Sequence, residues 1–299
     1  MRCETAGSDK TTRGRRGWRR VVYRLVGVVV VAYVAACVFL YVGQARFVYF
    51  PSREYGLAPG DIGLAYEDLT LPTSDGLSIA GWYVPHTEAA GSILFCHGNA
   101  GNMSDRMVTI QTLHALGYNV LMFDYRGYGR SEGSPDEAGT YVDAEAAWRY
   151  LTQTRGESPR RVVLMGRSLG GAVAIELASR HEAAALVVES TFTRLADVGR
   201  VHYRWVPVGV LTRYRYDSAA RVATISCPKL FLHGRDDRLV PIALGRRLYE
   251  AAAAPKRFIE TPGGHNSGGF TYSEEYTAEL GAFLHDALET GRSEAPTSE

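Results

Sequence analysis

Along the chain, short apolar runs alternate with longer segments of helical length. Runs of strand composition fall near Leu77–Val84, Ile93–Cys96, Val120–Phe123, Val162–Met165, Leu186–Val188, Leu230–Leu232 and Phe258–Ile259. Helix-length segments fall near 104–116, 137–155, 169–181, 241–252 and 272–288. This alternation predicts an α/β fold, a mostly parallel central sheet with helices on both faces. No internal repeat is visible. The chain has 299 residues, 46% apolar and 22% charged, enough for one domain with a full core.

Before the first of those runs the pattern changes. Leu25 to Val42 holds 18 residues without a formal charge, about 27 Å as a helix at roughly 1.5 Å per residue, close to a ~30 Å hydrocarbon core. It predicts a transmembrane helix at 25–42, preceded by a basic tail at 1–24. A juxtamembrane connector is expected at 43–63, a folded domain at 64–288 and a disordered polar tail at 289–299. The net charge of +1 hides an asymmetry, because the first 24 residues carry eight Arg/Lys and two Asp/Glu, leaving 25 against 30 for the rest. A basic patch confined to the N-terminus does not suggest nucleic acid as a partner. Arg13, Arg15, Arg16, Arg19, Arg20 and Arg24 flank the N-terminal side of the run, so the positive-inside rule expects a cytoplasmic N-terminus and a domain on the extracytoplasmic side. Tyr41, Phe47, Tyr49 and Phe50 are candidates for an aromatic belt. Two rival readings are a cleaved signal peptide and lipid processing at Cys37 in Val34-Ala35-Ala36-Cys37, against which the apolar run continues to Val42.

The chemistry concentrates in four loops. Residues 166–171 read GRSLGG between a strand-like run and a helix-like one. A serine on so sharp a strand-to-helix turn needs minimal side chains two places before and after it, here Gly166 and Gly170. Its hydroxyl is exposed, and the Leu169 N–H at the helix N-terminus faces charge that develops beside Ser168. A serine hydroxyl needs a base, and the base needs a group to orient it. Downstream, HGRDDRLVP follows Lys229–Leu232 and TPGGHNSGG follows Arg257–Glu260. Upstream, HGNAGN at 97–102 follows Ser92–Cys96, and its glycines let main-chain N–H groups face a small anion. The second oxyanion donor is assigned to the Asn99 N–H, with Ala100 as the neighbouring possibility. The ends of parallel strands share one sheet edge, which brings these loops into one crevice.

In QARFVYFPS at 44–52, FCHGNAGN at 95–102, FDYRGYGRSEGSP at 123–135, GRSLGG, HGRDDRLVP and GGHNSG, the chain resembles the α/β-hydrolases. It is most similar to the membrane-anchored α/β-hydrolase-domain serine hydrolases, which include protein depalmitoylases and many bacterial enzymes of unassigned substrate. The resemblance implies the chain order Ser, Asp, His, with Ser168 as nucleophile, Asp237 as acid and His265 as base, and an oxyanion hole from Leu169 and Asn99. His97 and His233 compete with His265, and Asp236 and Glu189 compete with Asp237. Acyl transfer to water follows, with no cofactor expected. A histidine base must be neutral, so the rate is expected to fall on acidification through an apparent value near the unperturbed ~6.5 of an imidazole.

A cap insertion is implied at about 192–220. Its mixture of aromatic, apolar and arginine residues reads either as a lid lining an acyl pocket or as an ordinary amphipathic cover for the sheet. The expected substrate is a small-molecule or lipid-like acyl ester or thioester. An aminopeptidase-like enzyme, with Glu189 contributing to an amine site, is the enzymatic rival; a silent scaffold on the same fold is the rival from another class. Asp124 and Arg126 read as loop-stabilising. No metal-ligand spacing is present, and Cys96 and Cys227 read as buried free thiols.

Overall fold

The computed structural model describes residues 10–293. The chain divides into two compact units, residues 1–44 and 45–299. The first holds one helix, α1 (Lys10–Val42). Within it the 25 residues Trp18–Val42 are long and apolar enough to cross a membrane, and none of their side chains is buried. This stretch begins seven residues before the expected span and takes in Arg19, Arg20 and Arg24. The expected basic tail is helical from Lys10 onward, and residues 1–9 lie outside the described residues.

After α1 come α2 (Gln44–Val48), β1 (Phe50–Pro51), β2 (Glu67–Pro72), β3 (Ser78–Val84), β4 (Ser92–Cys96) and β5 (Ala100–Gly101). Then follow α3 (Met107–Ala115), β6 (Asn119–Phe123), α4 (Glu137–Arg149), β7 (Val162–Arg167), α5 (Leu169–Ala178) and β8 (Ala185–Glu189). The chain continues with α6 (Leu195–His202), α7 (Val208–Leu211), α8 (Ser218–Val222), β9 (Lys229–Gly234), α9 (Ile242–Ala251), β10 (Lys256–Thr261) and α10 (Glu274–Ser293). Eight strands form one sheet in the order β10-β9-β8-β7-β4-β6-β3-β2, parallel except where β3 pairs antiparallel with β2 and β6. The expected α/β architecture is therefore present.

Strand alternation builds a core on each face. In β4, Leu94 and Cys96 join Trp148, Val173, Val222 and Leu248 of α4, α5, α8 and α9. Ile93 and Phe95 turn to the other face and meet Ile110, Leu113, Leu280 and Leu284 of α3 and α10. Each such aliphatic or aromatic side chain contributes about 1.5–3 kcal/mol when fully covered. Asp136 caps α4 by accepting from the Gly139 N–H at 2.7 Å.

Three expectations are corrected. Residues 43–63, expected as a juxtamembrane connector outside the folded domain at 64–288, belong from Ala45 to the second unit, and β1 pairs in parallel with β5. Tyr49, expected in an aromatic belt, is 3% exposed in the core, because its hydroxyl finds the Tyr216 hydroxyl at 2.8 Å. The tail expected to be disordered from Glu289 is helical through Ser293 as the end of α10, and 294–299 lie outside the described residues. Cys37, Cys96 and Cys227 are free thiols; Cys96 is buried as expected, whereas Cys227 is half-buried. Burial pushes the Cys96 thiol up to about 12 and the Cys227 thiol up to about 11.

Candidate active site

The sheet reverses its strand order beside β4, which lies between β6 and β7. Loops leaving the C-terminal ends of parallel strands diverge there and leave a crevice. Ser168 follows β7, Asn99 follows β4, Asp237 follows β9 and His265 follows β10.

Ser168 stands between β7 and α5 with φ 54° and ψ −119°. A non-glycine residue at positive φ costs of order 1–3 kcal/mol and persists only where its surroundings fix it. Here the Ser168 N–H donates to the Glu189 carbonyl at 2.8 Å, and the Ser168 carbonyl accepts from Gly171 N–H at 3.0 Å and Thr191 Oγ1 at 2.8 Å. A Cβ on Gly166 would overlap the Gly170 carbonyl, and one on Gly170 would overlap the Cys96 and His97 carbonyls. The flanking glycines therefore allow β7, α5 and the end of β4 to close around the serine.

The two partners reach Ser168 from other loops. His265 Nε2 lies 3.1 Å from Ser168 Oγ, and His265 Nδ1 lies 2.7 Å from Asp237 Oδ2. Asp237 Oδ1 accepts from the Leu239 and Val240 N–H groups at 2.9 and 2.8 Å. An ionised carboxylate only accepts, so Nδ1 carries the imidazole hydrogen and Nε2 is left to accept from the serine hydroxyl. Burial pushes the Asp237 carboxyl up, but hydrogen bonding from His233, His265 and the Val240 N–H outweighs it and holds the group well below the usual carboxylate range.

The competing groups stand elsewhere. Asp236 is exposed on the same loop. His233 is buried and donates through Nε2 to the Val240 carbonyl at 2.8 Å, standing 3.5 Å from Asp237 Oδ2. His97 is fully buried, with Nδ1 on the Gly98 carbonyl at 2.7 Å and Nε2 facing Asp124 at 3.4 Å. Glu189 is 2% exposed and lies 3.1 Å from Arg167 Nε, so it presents no free carboxylate to an amine. Asp124 accepts from Met103 N–H and Tyr55 Oη, while Arg126 pairs with Asp143 and Asp75, all bonds that tie loops together.

Of the two proposed oxyanion donors, Leu169 follows the serine in the chain and Asn99 follows Gly98, which packs against it. Leu169 opens α5, and a helix's first N–H groups have no carbonyl one turn behind them. A Cβ on Gly98, the residue before Asn99, would stand 3.8 Å from Ser168 Cβ. Ala100, the alternative, is exposed and opens β5.

Arg167 was not singled out from sequence. Its guanidinium bonds the His265 carbonyl through Nη2 and pairs with Glu189 through Nε, tying the Ser168 turn to the loop that carries His265. The only signal for it was its place beside Ser168. The segment expected as a cap, 192–220, holds α6, α7 and the start of α8, and its Trp205 and Val210 are 90% and 83% exposed. A cavity of about 590 Å³ lies between α6 and α9, lined by Asp197, Arg200, Val201, Arg204, Leu244 and Arg247; none of Ser168, Asp237 or His265 lines it.

The pattern of the serine aminopeptidase S33 family matches residues 87–215. An uncharacterised protein of Mycobacterium tuberculosis is 43% identical over 244 residues, covering 80% of this chain and 87% of that protein. The α/β-hydrolase domain-containing protein WAV2 of Arabidopsis thaliana is 35% identical over 270 residues, covering 80% and 88%. Among solved structures, an esterase of Pyrococcus furiosus superposes with a TM-score of 0.68 at 24% identity, covering 80% of this chain and 99% of its own. With the sheet order, the strained serine turn and these relatives together, the chain belongs to the α/β-hydrolase superfamily.

Proposed function

We propose that this hydrolase is a membrane-anchored serine esterase or thioesterase acting on acyl-chain substrates. The reading rests on the bonded series Asp237, His265, Ser168, at 2.7 and 3.1 Å, with the imidazole hydrogen directed to the carboxylate. His265 Nε2 takes the hydroxyl proton as Ser168 Oγ attacks the acyl carbonyl. The Leu169 and Asn99 N–H groups hold the oxyanion while Asp237 stabilises the imidazolium. As the tetrahedral intermediate collapses, the proton on Nε2 passes to the departing alcohol or thiol, leaving the acyl group on Ser168. Water then gives a proton to Nε2 and its oxygen to the acyl carbon, and Ser168 leaves with that proton.

The likeness to the Pyrococcus esterase reaches this chain as fold alone, and that fold is compatible with an ester substrate. A serine aminopeptidase is the second reading, carried by the family pattern over 87–215. Against it stands Glu189, enclosed and paired with Arg167. A fluorophosphonate probe is expected to label the wild-type chain and to leave Ser168→Ala unlabelled, with ester turnover in the variant reduced on the order of a millionfold. Equal labelling of the two proteins sinks the serine mechanism. A panel of acyl esters, acyl thioesters and aminoacyl amides then separates the two enzymatic readings, and preference for the amides overturns the esterase.

A further inference from the structure

The segment Val48–Glu54 comes next in sequence after the candidate span and α2 begins, and it lies across the loop that carries Asn99. Val48 O accepts from Asn99 Nδ2. Phe50 pairs with Ala100 and Pro51 with Gly101 in β1 and β5. The Ser52 N–H donates to the Gly101 carbonyl at 3.0 Å. Asn102 Nδ2 donates to the carbonyls of Ser52 and Glu54 at 3.2 and 2.7 Å. Residues 99 to 102 are thus bonded or paired to the segment at every position.

The segment is itself held on its other side. Gly129 N–H donates to the Ser52 carbonyl at 2.8 Å, Arg53 Nη1 donates to the Ser131 carbonyl at 2.6 Å, and the Tyr49 hydroxyl meets that of Tyr216. It acts as a strap, fixed to the body of the domain and gripping the loop.

Residues 97–99 have no regular structure of their own, between the end of β4 and the short β5. Gly98 and Gly101, the latter at φ 79°, leave the loop's backbone permissive. The Asn99 side chain supplies the missing constraint by using both ends of its amide: Nδ2 donates to Val48 O, and Oδ1 accepts from the Tyr128 hydroxyl at 2.9 Å. Fixing that side chain fixes the Asn99 Cα and the peptide plane before it, whose N–H is the proposed oxyanion donor. A 1 Å misplacement of a catalytic group costs on the order of 100-fold, so the constraint is large enough to matter for rate.

We infer that the Asn99 side chain, clamped between the Val48 carbonyl and Tyr128, is a positioning residue for the oxyanion hole, and that the 48–54 strap is its fixed support. This rests on the proposed hydrolase reading. It also makes the stretch bordering the candidate span part of the machinery that sets turnover.

The test uses the full-length chain in detergent with p-nitrophenyl butyrate as substrate, and compares wild type, Asn99→Ala, Tyr128→Phe and the double variant. Asn99→Ala keeps the main-chain N–H and removes the clamp. Its kcat is expected to fall about 10- to 100-fold, with KM held within about threefold, the signature of an interaction made in the transition state. Tyr128→Phe is expected to lower kcat by a smaller factor. The double variant should be no slower than Asn99→Ala within about twofold, because both changes cut one link. An unchanged kcat in Asn99→Ala, a loss carried by KM, or multiplicative losses in the double variant each overturn the inference. Should Asn99→Ala fail to fold by thermal melting, the kcat of the isosteric Tyr128→Phe decides by the same criterion. A wild-type chain without Ser168-dependent turnover overturns the hydrolase reading instead.

Discussion

At the scale of single residues, the acid of the proposed triad is tightly constrained. Both Asp237 oxygens are occupied, one by two main-chain N–H groups and one by His265. Its carboxyl is held well below the ordinary range despite burial. A carboxyl depressed in the folded state stabilises the fold fully above its unfolded value of ~3.9 and loses that contribution as pH falls toward the folded value. Asp237→Asn is therefore expected to lower the urea midpoint at pH 7, with the gap to wild type narrowing as pH falls below about 4. Turnover should drop on the order of 10⁴-fold at neutral pH, because an amide donor facing Nδ1 favours the wrong tautomer. A gap in midpoint that widens on acidification, or a variant with near wild-type turnover, contradicts the assignment. In the sequence, Ser168 is marked by its glycine-flanked turn between an apolar run and a helical one, whereas Asp237 and His265 are chosen over Asp236, His97 and His233, which sit in similar loops, only through the family resemblance and its chain order. Arg167 is not marked, since nothing local reveals that its guanidinium meets a carbonyl 98 positions away.

Elements were legible where burial is continuous and obscure where it is not. The runs that became β4, β6, β7, β8 and β9 are covered on both faces, so their composition alone marks them. The edge strand β2, Glu-Asp-Leu-Thr-Leu-Pro, covers only alternate positions, with Leu71 buried and its neighbours exposed, and makes no apolar run. The two-residue β1 and β5 carry no periodicity at all, and exist because the strap meets the loop that carries Asn99. The junction of β4, β7 and α5 is tighter than any pattern of apolar residues conveys. Gly170→Ala adds one carbon where the Cys96 and His97 carbonyls already stand, so the helix must shift from the strand end. A loss of about 1–3 kcal/mol is expected from such overpacking, read by denaturant melting, together with a fall in kcat as Ser168 and Asn99 separate. An alanine variant with unchanged stability and turnover would mean the junction is looser than its contacts imply.

Across the whole molecule, the formal charge of +1 joins a basic N-terminal stretch to an acidic remainder. The boundary between the two compact units falls at Gln44, only two residues after α1 ends. The core begins almost at once: Tyr49 is buried, and the strap follows. Two truncations that differ by nine residues should therefore behave differently. A chain starting at Gln44 keeps Tyr49, β1 and every strap bond, and is expected to leave the membrane fraction, stay folded and retain Ser168-dependent ester turnover within a few-fold. A chain starting at Arg53 loses Tyr49 and the Val48 and Ser52 contacts, and should lose turnover together with stability. The full chain should stay in the membrane fraction through alkaline carbonate washing, at its unprocessed intact mass. If the positive-inside rule governs its insertion, protease added outside intact cells should digest the domain while sparing the arginine-rich end. Protection of the domain reverses the proposed orientation, and loss of the first 36 residues from the mature chain replaces the anchor with processing at Cys37.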